Sequence, residues 1–187
     1  MKPIQAKEDR RPFLADIQEL RRRAREHMEQ GAVTNGYKAD RDTVIKILNA
    51  VVATEIVCVL RYKRHYYMAN GIHAKAVAQE FLEHAAEEQR HADLAAERIV
   101  QLGGAPDLNP EGLVTRSHSQ YIEGTSLVDM IEENLVAERI AIESYGEIVR
   151  YLGSDDPTTR AMIETIMAKE EEHAEDMKTL LASIEKK

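Results

Sequence analysis

The sequence has one cysteine, no tryptophan and two phenylalanines, and its 187 residues include only nine glycines and five prolines. A lone Cys58 cannot close an internal disulfide or build a thiolate metal cage, which excludes a zinc ribbon or four-cysteine iron site and fits a reducing cytoplasm. So few helix breakers, beside abundant Ala, Leu, Glu, Ile, Met, Arg and Lys, predict an all-α chain. Without tryptophan, the core must be aliphatic with tyrosines. No apolar run approaches the roughly 18 residues of a membrane span, and the first turns of chain are densely charged. Neither a signal peptide nor a membrane segment is expected. Positive charge is scarce too: the net charge is −8, and because residues 1–30 hold eight Lys/Arg against six Asp/Glu, the remainder carries −10. Phosphate contacts need clustered cations, so nucleic acid is not an expected partner. The cluster Arg21, Arg22, Arg23 and Arg25 has acidic neighbours and helical spacing, and reads as a solvated face.

The breakers leave four long stretches, which predict helices over 42–69, 73–102, 126–152 and 157–185. Asp156 before Pro157 is an N-cap with proline at the first helical position, and Ser126 with Asp129 resembles a capping box. A shorter amphipathic helix, striped by Phe13, Ile17, Leu20, Ala24 and Met28, precedes them. The expected organisation is an N-terminal arm over 1–36, packing on its own bundle or a neighbour's, and a bundle over 37–187. The connection from 103 to 124 could extend roughly 70 Å against about 45 Å for a 30-residue helix. It can therefore run the length of the bundle and make the second and third long helices parallel.

A core-facing seam should be apolar at every third or fourth step. The first long helix reads Ile45, Leu48, Val52, Glu55, Val59, Tyr62, Tyr66, and the third reads Ile131, Leu135, Glu138, Ile142, Tyr145, Val149. Each is broken once, by a glutamate. The second is broken by Glu88 and His91, and the fourth by Glu170 and His173. The breaks repeat along the chain: Glu55 to Glu138 and Tyr62 to Tyr145 are 83 residues apart, and Glu88 to Glu170 and His91 to His173 are 82 apart. With 23 Glu and 7 His, about one Glu-x-x-His pair is expected by chance, so the weight lies in placement rather than count. Four unpaired buried carboxylates would each cost several kcal/mol, on the order of the penalty for any uncompensated buried charge. Two divalent cations would balance them, with neutral imidazoles adding nitrogen ligands. His84, one turn before Glu88, is a candidate access-route or supporting residue, or a core-edge histidine bonded to solvent. Tyr62 and Tyr145 are candidates to bond a ligand carboxylate or be oxidised, or else plain core residues. His27, His65, His73 and His118 have no partner pattern and are expected at the surface.

This constellation resembles the ferritin-like superfamily, four-helix bundles in which two helices each give a Glu and two each give Glu-x-x-His. The segments TEIVCVLRY, EEQRHA, LVAERIAIESY and KEEEHA look like the four ligand-bearing stretches of bacterioferritin and its Dps-like relatives, over residues 40–185. The resemblance implies Glu55, Glu88, His91, Glu138, Glu170 and His173 as ligands of two iron ions, manganese being the alternative. It implies that Glu88 and Glu170 bridge the metals and that Glu55 and Glu138 each cap one. Bacterioferritins bind haem through a Met directly after the second ligand glutamate; here that residue is Gln89, so haem is not expected. The fifth helix of 24-subunit shells has no counterpart in the 14 residues after His173, so a homo-oligomer of twelve is expected over 24, with a dimer as the other outcome. In twelve-subunit DNA-protecting relatives the site usually lies between subunits, whereas this set is complete in one chain. Cys58 also lacks the partner of the cysteine pair found in some bacterioferritin-like dodecamers.

The implied activity is a cytoplasmic ferroxidase, oxidising Fe(II) with dioxygen or peroxide for iron storage or detoxification. The alternatives are a peroxidase or manganese-catalase-like enzyme on the same site, or a non-enzymatic DNA-protecting or structural shell.

Overall fold

The computed structural model describes residues 16–72 and 74–185. Every regular element among them is helical, and the chain divides into two compact units, Met1–Gly36 and Tyr37–Lys187. In the first unit α1 spans Ile17–Arg23, capped by the Asp16 side chain, which accepts from the Gln18 amide at 2.8 Å. A single 3-10 turn, Met28–Gln30, follows. The helix expected to carry its stripe to Met28 ends a turn early, because His27 takes a left-handed backbone (φ 52°) that no right-handed helix continues through. Phe13, the first residue of that stripe, lies outside the described residues, as does His73.

The second unit holds α2 (Arg41–Met68), α3 (Ala74–Gln101), the short α4 (Leu113–Arg116), α5 (Leu127–Leu152) and α6 (Pro157–Glu185). The four long helices match the predicted stretches to within a residue or so at each end. Their ends follow local chemistry: Asp40 accepts from the Thr43 amide at 2.8 Å, and Ser126 accepts from the Asp129 amide at 3.1 Å. The α3 stop is a Schellman arrangement, with the Gly104 amide on the Ile99 carbonyl and the Gly103 amide on the Val100 carbonyl, each at 2.9 Å. Gly103 has φ +81°, and a Cβ on Gly104 would sit 2.8 Å from the Ile45 side chain, so both glycines are required here.

Chain directions follow from cross-helix pairs. Tyr62 of α2 bonds Glu138 of α5, whereas Glu55, earlier in α2, is bonded by Tyr145, later in α5. Those two helices are antiparallel, and since α2 and α3 form a hairpin, α3 and α5 run parallel. The crossover makes this possible by climbing beside α2. Asn49 accepts from the Asp107 amide (2.6 Å), Thr54 accepts from the His118 amide (2.9 Å), Arg61 donates to Ser119 Oγ (3.0 Å) and the Gln120 carbonyl (2.9 Å), and His65 Nε2 meets the Ile122 carbonyl (3.0 Å). Midway, Leu113 of α4 packs on Ala53 and Val57.

Two expectations are corrected here. His65, expected at the surface, is fully buried, with Nδ1 3.0 Å from Asn134 Nδ2. Its partners are 57 and 69 residues away in sequence, so no local pattern announces them. The other concerns apolar runs: an 18-residue window of α2 has mean hydropathy 2.0, enough by length and composition alone to cross a membrane. That window carries so little charge because Val44, Leu48, Val51, Val52, Val57 and Val59 are all core residues, and 56% of it is buried inside the bundle.

Along every long helix the core splits into two apolar plugs. Tyr62, Val77, Phe81, Ala85, Met130, Ile131 and Met177 form one, while Leu48, Ile99, Leu102, Leu152, Ile163 and Ile166 are fully buried on the far side of a polar layer. At the second end Asp156, 1% exposed, caps α6. Its Oδ1 accepts from the Thr159 amide (2.9 Å) and Arg98 Nη2 (3.0 Å), and its Oδ2 from Tyr37 (3.0 Å). Burial would raise this carboxyl, but the bonds from Thr159, with the nearby Arg98 and Tyr37, outweigh it and hold the pKa below its usual value. Asp156→Ala strands the buried Arg98 guanidinium, and is expected to cost about 3–5 kcal/mol in urea unfolding. A depressed folded pKa contributes stability above the unfolded value, near about 3.9, and loses it as pH falls further. The stability gap between wild type and Asp156→Asn should therefore shrink as pH drops from neutral toward 3.

Candidate metal centre

The polar layer between the plugs is made of Glu55 from α2, Glu88 and His91 from α3, Glu138 from α5, and Glu170 and His173 from α6. All four glutamates are at most 1% exposed, His173 is 1% and His91 7% exposed. The helical repeat explains the convergence: residues three apart share a face, so Glu88 with His91, and Glu170 with His173, point the same way into the core. The structure brings all six sequence-predicted residues together. Ligand atoms of Glu55, Glu88, His91 and Glu170 lie within 4.8 Å of one another, and so do those of Glu88, Glu138, Glu170 and His173. Glu88 and Glu170 belong to both groups.

Their oxygens are shared out accordingly. Glu88 sets Oε2 3.3 Å from His91 Nδ1 and Oε1 3.3 Å from His173 Nδ1. Glu170 sets Oε1 2.8 Å from His91 Nδ1 and Oε2 3.3 Å from His173 Nδ1. Glu55 Oε2 is 3.7 Å from His91 Nδ1. Close approach does not mean satisfaction. Of the seven buried side-chain atoms without a hydrogen-bond partner among the described residues, five are here: Glu88 Oε1, Glu138 Oε2, both oxygens of Glu170, and His173 Nδ1. Buried polar atoms are normally paired, so lone pairs converging on common points mark places for a cation. Oxygen and imidazole nitrogen donors in this number fit a pair of first-row divalent ions.

Without metal, protons carry part of that load. Burial, and then the charges of Glu170 and Glu88, push Glu55 well above the usual carboxylate range, and burial with Glu88 and Glu170 does the same to Glu138. Burial would also raise Glu88, but His173 and His91 hold it well below. Burial opposes charge on the histidines, yet the facing carboxylates prevail and push His91 up to about 12 and His173 up to about 11.

The surrounding side chains fix the carboxylates in place. Tyr62 donates to Glu138 Oε1 and Tyr145 to Glu55 Oε1, the bonding role foreseen for both tyrosines. His84 is 2% exposed, stacks on His173 with ring centroids 3.9 Å apart, and sets Nδ1 3.1 Å from the Tyr62 hydroxyl. Three further groups, Glu87, Arg61 and Asn134, carry no signal in the sequence pattern. Glu87 Oε2 lies 2.7 Å from His173 Nε2, orienting that ring as carboxylates do behind metal-bound imidazoles. Arg61, fully buried beside the layer, donates to Asn134 Oδ1 at 2.9 Å and approaches Cys58 Sγ at 3.5 Å. Glu87 adjoins a ligand candidate within an acidic run, and Arg61 and Asn134 are ordinary helix residues; only the assembled bundle distinguishes them.

Residues 45–187 match the ferritin-like domain family. A bacterioferritin of Desulfovibrio desulfuricans is 29% identical over 140 residues, covering 74% of this chain and 74% of that protein. Among solved structures, the bacterioferritin-related protein of Bacteroides fragilis, described as a dodecameric thioferritin, is 34% identical with a TM-score of 0.76, covering 80% of this chain and 90% of that one. Dps from Thermosynechococcus elongatus, 21% identical over 75% of this chain and 90% of its own, shares the fold with a TM-score of 0.72. Family match, relatives and helical architecture agree, and the chain belongs to the ferritin-like family.

Proposed function

We propose that this protein is a ferroxidase that takes two Fe(II) ions as substrate in the polar layer and oxidises them for iron storage or detoxification. The observation that carries this reading is the five partnerless buried atoms converging between two histidines. The relatives named bacterioferritin support iron as the metal. In this assignment Glu55 with His91 would hold one ion and Glu138 with His173 the other, with Glu88 and Glu170 placed to serve both. The same oxygen and nitrogen donors accept manganese, the alternative occupant. No haem is assigned, since Gln89 occupies the position of the haem-binding Met and bonds Asp93 at 2.9 Å.

The chain's contribution is placement and charge. Tyr62 and Tyr145 pin the two outer carboxylates, and Glu87 fixes the His173 ring. The metal-free histidines carry protons at neutral pH, so ion uptake displaces them and is favoured by rising pH. Each Fe(II) gives up one electron; with two protons, the pair of electrons reduces dioxygen to hydrogen peroxide, or peroxide to two waters. One buried cysteine and a bundle that encloses α2 fit work in the cytoplasm. The dodecameric relative supports a homo-oligomeric shell of twelve subunits, and the amphipathic stripe of the arm over residues 1–36 assigns that arm to assembly.

Glu88→Ala and His173→Ala are each expected to abolish rapid aerobic Fe(II) oxidation, followed by absorbance of the ferric product; wild-type rates in either would sink the assignment. Saturating Mn(II) at one hundred times its Kd should stabilise the metal-free wild type by about 2.7 kcal/mol for each ion bound, seen as a raised Tm. In Glu170→Gln that rise should shrink, and the metal-free variant should itself be less stable than wild type, because the two protonated histidines lose a facing carboxylate. Native mass spectrometry should give about 250 kDa, twelve times the 21.2 kDa chain. A dimer would remove mineral storage and leave oxidation intact, and deleting residues 1–36 should lower assembly without changing metal stoichiometry.

A further inference from the structure

One polar cluster lies outside the six-residue layer. Glu80 and His84 on α3 are one turn apart, and Asp176 on α6 follows His173 by three residues, so all three continue the ligand-bearing faces by one turn. Their ligand atoms lie within 4.8 Å of one another. His84 Nε2 is 3.5 Å from Glu80 Oε1 and 3.5 Å from Asp176 Oδ2.

Those distances are long for an imidazole bonded to a carboxylate. Nearby, His173 Nε2 meets Glu87 at 2.7 Å. They match the edge of a coordination shell instead: with metal–ligand bonds of about 2.1 Å, ligand atoms around a tetrahedral ion are about 3.4 Å apart. The other ring nitrogen is taken: His84 Nδ1 lies 3.1 Å from the Tyr62 hydroxyl, so on this ring, only 2% exposed, Nε2 is the atom turned toward the two carboxylates.

The internal repeat acts as a control. The positions equivalent to Glu80, His84 and Asp176 in the other hairpin are Met162, Ile166 and Leu94. The fold thus accepts apolar residues at these steps, and the cluster is not required for packing.

We propose that Glu80, His84 and Asp176 form a third divalent-cation site, distinct from the six-residue centre and separated from it only by the His84–His173 stack. Two carboxylates and one imidazole suit Zn(II), Mn(II) or Fe(II). The partly exposed carboxylates, 35% and 43% by side chain, leave room for water as remaining ligands and give the ion a path from solvent.

The test is Zn(II) titration of the metal-free full chain by calorimetry, with zinc-edge anomalous diffraction on loaded crystals. Wild type should bind one more zinc per chain than Glu80→Gln/Asp176→Asn, a variant that alters only partly exposed side chains. The anomalous map should show a peak about 2.0–2.1 Å from His84 Nε2. Equal stoichiometry in the two proteins, or no peak at His84, overturns the site. A Glu88→Ala/Glu170→Ala background separates this from the six-residue assignment. There the third zinc should persist and vanish only when Glu80 and Asp176 are also changed. If the two-metal reading alone is wrong, that background binds as many ions as wild type while the His84 peak remains.

Discussion

Four carboxylates enclosed in the middle of an aliphatic bundle set the terms for everything around them. Each is at most 1% exposed, and the single buried guanidinium beside them, Arg61, cannot balance them. In the metal-free chain the charge is moderated by protons on Glu55, Glu138 and both histidines. Five buried atoms of the layer have no hydrogen-bond partner, and two divalent ions among them would supply what they lack. The apolar plugs on either side follow from the same constraint. They supply the burial that lets the bundle tolerate a polar layer whose own contribution without metal is unfavourable.

The layer can be held open only if the helices cannot slide, which gives the crossover its importance. A connection climbing the outside of α2 could be slack. Instead it is bonded at Asn49, Thr54, Arg61 and His65, roughly one or two turns apart. Arg61 and Asn134 join the crossover, α2 and α5 in one buried network, and Asn134 is one turn before Glu138. The residues that lock topology thus also set the depth of a site carboxylate, so changes at the crossover should be felt in the polar layer.

Periodicity made the long helices, their caps and the six converging residues legible in the sequence. Those features are local or repeat: a glutamate that breaks a seam is visible in a window of seven, and Glu-x-x-His is one helical turn. What stayed hidden depends on contacts across the chain. His65 looks like any surface histidine until Asn134 and Ile122 arrive from more than fifty residues away. Glu87 is one of many acidic residues until His173 is set against it. The early stop of α1 turns on the backbone of His27, a residue whose type gives no such signal. The apolar character of α2 was missed for a different reason: it spreads over many sides of the helix, whereas uninterrupted runs are short.

The duplicated hairpin also shows where the two halves of the centre differ. Glu55 with Tyr145 and Glu138 with Tyr62 are equivalent pairs, and each phenol serves its glutamate alone on the ligand seam. Beyond them the equivalence ends. Tyr62 is backed by His84, which stacks on His173 and opens toward Glu80 and Asp176, whereas Ile166 and Leu94 stand at the positions matching His84 and Asp176. The half containing Glu138 and His173 therefore has a polar path toward solvent, and its carboxylate bond can respond to charge arriving at His84. The half containing Glu55 and His91 faces an apolar residue at the position matching His84. Two groups of candidate ligand atoms that share Glu88 and Glu170 are thereby made unequal by what lies one turn behind them.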